Sequence, residues 1–196
     1  MDSLVLNTSE TAQWHTLICD AEQICHTHLG ETLQSYLVFL LMRYTKKSYL
    51  ADTVVALEYL QSLEASGQRQ EDGLQSIGDK CLLFVGLFPR IAQRRRVKAS
   101  YYVDMGVNAY SVLAATSSQL KAELFDDLAQ HFVALMDVLH ATREIHSDVP
   151  SLEPLDAMEL WADTGSNHAK QCLSQYSQSI PVAGYPVDKQ GKVIIH

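Results

Sequence analysis

The sequence is short of the features that usually announce a chemistry. Charged residues make up only 19% of its 196 positions, below the roughly 25% of an average globular protein. A weakly charged surface leaves apolar area to cover, which favours self-association. The four cysteines, Cys19, Cys25, Cys81 and Cys172, show neither a CxxC pair nor a zinc-ribbon spacing. No disulfide framework emerges, which fits a reducing compartment. The longest apolar run, residues 36–42, falls well short of the about 20 residues that a membrane span needs. The first ten residues are acidic and lack the apolar stretch of a signal peptide. Walker A, G-x-G-x-x-G, G-x-S-x-G and H-E-x-x-H motifs are all missing. Few glycines precede helical segments, which argues against a phosphate cradle. These absences point to a soluble, cytoplasmic protein without a recognisable catalytic motif and without a cofactor.

What is present is helical periodicity. Apolar residues make up 47% of the chain, enough for one substantial core, and its length suits a single domain. The spacing predicts helices over 9–30, 31–46, 49–65, 70–87, 100–117 and 118–146, with Ser9 and Gly30 as the expected ends of the first. Two more are expected over 154–162 and 166–178. The expected fold is all-α: a single-domain bundle of six to eight helices, with a short extended or hairpin-like tail over 185–195. Residues 1–148 form the bundle core, and 149–196 the C-terminal helices and tail packed on the same domain. The second helix is apolar all round over 36–42 and is expected to be the most buried. In the third, Leu50, Val54, Leu57 and Leu60 make the stripe that should face the core. Phe125, Leu128, Phe132, Leu135 and Leu139 recur at alternating spacings of three and four, a coiled-coil-like seam. Gly78, on the apolar face of its helix, permits close approach by a neighbour.

Four groups of residues carry possible chemistry. His15, Cys19, Glu22 and His26 lie along one side of the first helix, and imidazole, thiolate and carboxylate are all metal ligands. One straight helix rarely offers more than two ligands to one ion, so a site would need a partner elsewhere; otherwise the row is a solvated stripe. His28 falls on the apolar face of the same helix and reads as a hydrogen-bonded core residue. Asp137 and His140, three apart, evoke one half of a di-iron pattern, but no Glu-x-x-His accompanies them.

The segment YYVDMGVNAYSVLAATS, residues 101–117, is the most distinctive. Asp104, Asn108 and Ser111 form a narrow polar stripe, with Tyr101 beside it, on an otherwise apolar helix. Either the stripe is the exposed edge of a central helix, or it lines a cleft where Asp104 meets a cation such as Arg43. The formal net charge is −8, yet residues 67–98 hold seven bases against three acids. Arg94, Arg95 and Arg96 are the centre of that patch, a candidate for an acidic partner or phosphate. No aromatics interleave it, and the acidic whole argues against nucleic acid.

GDKCLLFVGLFPRIAQRRRV at 78–97, followed by YYVDMGVNAY at 101–110, resembles a family of uncharacterised proteobacterial helical proteins. The resemblance extends over about 30–145. It implies a bacterial source and a body of the fold in that segment, but no activity. The leading expectation is therefore a non-enzymatic helical protein that works by protein–protein contacts, as a homodimer. The alternatives are a metal- or cofactor-binding protein using histidines of the first and sixth helices, and an enzyme built around Asp104, Asn108 and Tyr101.

Overall fold

The structure is a computed structural model that describes residues 9–46, 55–88, 97–145 and 152–176. It is all-α. Among the described residues there are nine helices: α1 (Glu10–Ile24), α2 (Glu31–Lys46), α3 (Val55–Glu64), α4 (Gln68–Leu87), α5 (Ala99–Thr116), α6 (Gln119–Gln130), α7 (Phe132–Thr142), α8 (Pro154–Thr164) and α9 (Asn167–Tyr176). The expected tail, Leu50 and Val54 lie outside the described residues. None of the helices described is long and apolar enough to cross a membrane.

Ser9 caps α1 as expected, its hydroxyl accepting the Ala12 N–H at 3.3 Å. The far end differs. The helix stops at Ile24, and His26 takes a positive φ of 48°. The chain then folds back, so that Glu22 accepts the Leu29 N–H at 2.5 Å and the Gln34 amide at 2.7 Å. His28 consequently sits on no helical face and is exposed, not the core histidine that a helix running to Gly30 would make it.

The expected long helix over 118–146 is two helices, α6 and α7, parted at His131. The His131 ring Nδ1 lies 2.9 Å from the Asp127 carbonyl, which the His131 N–H already engages. Side chain and backbone thus crowd one acceptor at the break. The seam survives the bend: Phe125, Leu128, Phe132, Leu135 and Leu139 are all buried within this chain, so it is not free to pair with a second copy. α7 packs against α1, α4 and α9, and eight of its eleven residues are buried. It, rather than α2, is the central helix; α2 leaves Phe39 exposed. The third helix also turns the other way from its apolar stripe. Val55 and Ser62 are its buried positions, Glu58 pairs with Lys80 of α4 at 2.6 Å, and Leu57 and Leu60 face out.

α4 and α5 pack along most of their lengths. A Cβ at Gly78 would clash with the ring of Tyr110, so the expected close approach is made, and by an aromatic side chain. That approach brings the Tyr110 hydroxyl within 2.9 Å of Asp79 Oδ1. Tyr36 donates to the same oxygen at 2.5 Å, and Arg43 donates to Oδ2 at 2.5 Å. The partner of Arg43 is thus Asp79, not Asp104. Burial pushes the Asp79 carboxyl up, against the pull of the Arg43 charge and the two hydroxyls.

Replacing Arg43 with Met would leave this buried carboxylate with the hydroxyls alone. The expected loss is about 1–3 kcal/mol, less than the 3–5 kcal/mol typical of a fully buried pair. Arg43 is 51% exposed, and water screens part of the interaction. Urea unfolding of Arg43→Met measures it. An unchanged midpoint would mean that the tyrosines suffice to hold Asp79.

Candidate metal centre

The position of α9 is set by a carboxylate on another helix. The first N–H groups of a helix lack intrahelical partners. Here Asp137, on buried α7, supplies them. Its Oδ2 accepts the N–H of Asn167 at 3.0 Å and of His168 at 3.2 Å. Its Oδ1 accepts the Ser166 hydroxyl at 2.5 Å, and Ser166 Oγ in turn accepts the Ala169 N–H at 3.0 Å. A negative charge there also suits the helix dipole. Gly165, at φ 74°, ends α8 in the left-handed conformation and lets the chain turn at once into α9. Burial raises the Asp137 carboxyl, while Ser166 and the His168 N–H oppose the rise.

This anchoring places His168 and Cys172, one turn apart, against the end of α7, where Glu144 lies in the turn that follows. Three ligand atoms meet. His168 Nε2 is 3.3 Å from Glu144 Oε1 and 3.6 Å from Cys172 Sγ, and Sγ is 4.0 Å from Oε1. The His168 and Cys172 side chains are buried and Glu144 nearly so. Burial alone would lower the His168 pKa, but Cys172 and Glu144 together outweigh it and hold the ring up to about 10. His140, one turn before Glu144, is 0% exposed. Its ring stacks on that of His168 with centroids 6.3 Å apart. Burial, then the His168 charge, press His140 down to about 3, so it is a neutral imidazole.

A thiol, an imidazole and a carboxylate also make a nucleophilic triad, but the connectivity here differs. In a triad the base uses one ring nitrogen for the nucleophile and the other for the orienting carboxylate. Here both partners face Nε2, and Nδ1 of His168 is buried without a hydrogen bond. Three donors directed at one point suit a cation between them.

Of the residues singled out from the sequence, Asp137 and His140 lie beside this centre, whereas the row on α1 and the stripe on α5 are placed elsewhere. His15 Nδ1 and Cys19 Sγ are 3.6 Å apart, but on the outer side of α1. Cys19, Glu22 and His26 line a shallow depression of about 540 Å³ together with His28 and Gln34. The Glu22 oxygens are taken by Leu29 and Gln34, and among the described residues only Glu144, His168 and Cys172 bring three ligand atoms within reach of one ion. Asp104, Asn108 and Ser111 are exposed on α5, as is Tyr101, which is the solvated-edge reading of that stripe. Arg94, Arg95 and Arg96 lie outside the described residues. Comparison of the chain with protein-family models, curated proteins and solved structures returns no match.

If Asp137 fixes the centre by anchoring α9, Asp137→Ala should release that helix. The expected cost is about 2–3 kcal/mol, a helix cap plus hydrogen bonds to a buried charge. Native-state hydrogen exchange should show protection falling across 167–176 before the rest of the bundle. Uniform protection in the variant would show that packing alone holds α9.

Proposed function

We propose that this is a non-enzymatic helical protein that binds one divalent transition-metal ion at Glu144, His168 and Cys172. The supporting observation is the triangle of donor atoms. A zinc ion about 2.3 Å from sulfur and about 2.0–2.2 Å from nitrogen and oxygen sets tetrahedral ligand–ligand separations of about 3.3–3.6 Å. Two of the three separations, 3.3 and 3.6 Å, fall at those values, and the third is 4.0 Å. Thiolate with imidazole favours zinc over magnesium or calcium. The ion would take the place of the proton that His168 otherwise carries, and neutralise the thiolate and carboxylate around it. It would also join the end of α7 to α9, adding a bond between the core and the C-terminal helices.

Elemental analysis of protein purified without chelator should find about one zinc per chain for a single site, and Cys172→Ser or His168→Ala should lose it. Zinc at about 100 times its dissociation constant should add about 2.7 kcal/mol to the stability of the stripped protein. A metal-free preparation whose melting temperature ignores added zinc would remove the proposal.

Association is the second reading, and α3 favours it. Leu57 is 55% and Leu60 58% exposed, with Leu63 also out, a row at three-residue spacing along one side of the helix. Identical rows can meet across a two-fold axis, burying the leucines against each other despite the net charge of −8 that each copy carries. The occupant is therefore a second copy of this chain. Light scattering at micromolar concentration should give a dimer, and Leu57→Lys with Leu60→Lys a monomer. A wild-type species of 21.9 kDa would rule the pairing out.

A further inference from the structure

Buried polar groups in folded proteins nearly always have partners. His140 departs from that rule on both sides of its ring. It is 0% exposed, and neither Nδ1 nor Nε2 has a hydrogen bond of ordinary geometry. The backbone of Val85 lies close enough to act on the ring, but the contact falls short of ordinary hydrogen-bond geometry. A fully buried imidazole without a well-formed hydrogen bond costs free energy that phenylalanine would not. Its neighbourhood explains what it is for. His140 precedes Glu144 by four residues, the same spacing that separates His168 from Cys172. The end of α7 and the face of α9 thus each direct a one-turn pair of ligand residues at the other. The His140 ring already lies parallel to that of His168, with 18° between their planes and 6.3 Å between their centroids.

We propose that His140 is the fourth ligand of the metal centre, which is then closed by one thiolate, two imidazoles and one carboxylate. The inference rests on the reading of Glu144, His168 and Cys172 as a metal site. It requires His140 to turn from its stacked position, chiefly about the soft bond that joins the imidazole to Cβ. Its chemical consequences are specific. Four protein ligands are what structural zinc sites have, whereas catalytic ones keep a position for water or substrate. The ion accordingly holds the C-terminal helices on the core rather than activating water, and the ligand class is zinc, with cobalt as its spectroscopic substitute.

The test uses the full chain, stripped with chelator and reloaded with Co²⁺. The wild type should show the intense visible bands of four-coordinate cobalt together with a near-ultraviolet thiolate-to-cobalt band. His140→Ala should keep the thiolate band but shift to the weak visible bands of a site that has admitted water. Its zinc affinity should fall by more than the about 10–100-fold that losing an outer partner of a ligand costs. Zinc K-edge absorption of the wild type, in which scattering from the rings counts imidazoles, should find two, and this measurement needs no variant to fold. One imidazole, or a cobalt spectrum indifferent to His140→Ala, overturns the fourth ligand while leaving the three-residue centre standing. A wild type with no thiolate-to-cobalt band at all overturns the centre itself, and the inference with it.

Discussion

The carboxylate of Asp137 decides where the C-terminal helices lie. It stands on the most enclosed helix of the bundle and receives the donors that the start of α9 cannot satisfy alone. A charge this enclosed is tolerated only where hydrogen bonds replace its water, and Ser166, Asn167 and His168 do so. The same contacts fix the rotation of α9 about its own axis. With the His168 N–H tied to Asp137, its imidazole is turned toward the end of α7 and the Cys172 thiol follows one turn later. The approach of His168, Cys172 and Glu144 is therefore a consequence of an anchoring contact made about two turns earlier, within α7.

A second buried carboxylate plays the equivalent part on the other side of the core. Asp79 draws Tyr36 and Arg43 of α2 and Tyr110 of α5 onto α4. The helices can come together because Gly78 leaves room for the Tyr110 ring beside it. Size and polarity cooperate: the missing side chain at 78 permits the approach, and the charge at 79 rewards it. Both carboxylates join helices distant in sequence, which hydrophobic burial, being non-directional, cannot orient by itself.

The helices themselves were legible, because periodicity reports which side of each is apolar. α2, α4 and α5 fall close to where spacing places them. Two kinds of feature were not. Helix ends set by long-range contacts are invisible to local pattern, as where Glu22 turns back to hold Leu29 and stops α1 short of Gly30. An apolar stripe shows that a face is apolar but not that it is covered, and so α3 presents Leu57 and Leu60 to solvent. The polar stripe of α5, with Asp104 and Asn108, is unusual in composition, yet its position is the ordinary one for charged residues at the edge of a packed helix.

The metal reading shows most clearly where the sequence stops informing. The spacing His-x-x-x-Cys occurs twice, at His15 and Cys19 and at His168 and Cys172, and in both the sulfur lies 3.6 Å from a ring nitrogen. Sequence favours neither; if anything it favours the first, where Glu22 and His26 continue the row. What separates them is the third dimension. On α1 the pair faces outward, and the carboxylate that continues the row is engaged in holding a turn. On α9 the pair faces the end of another helix, with Glu144 in reach and His140 one turn behind it. A cation gains most from ligands already gathered and withdrawn from water, since little ordering or desolvation is left to oppose binding. Convergence, not ligand type, distinguishes the two pairs, and it is supplied by an aspartate three residues before His140 that takes no part in coordination.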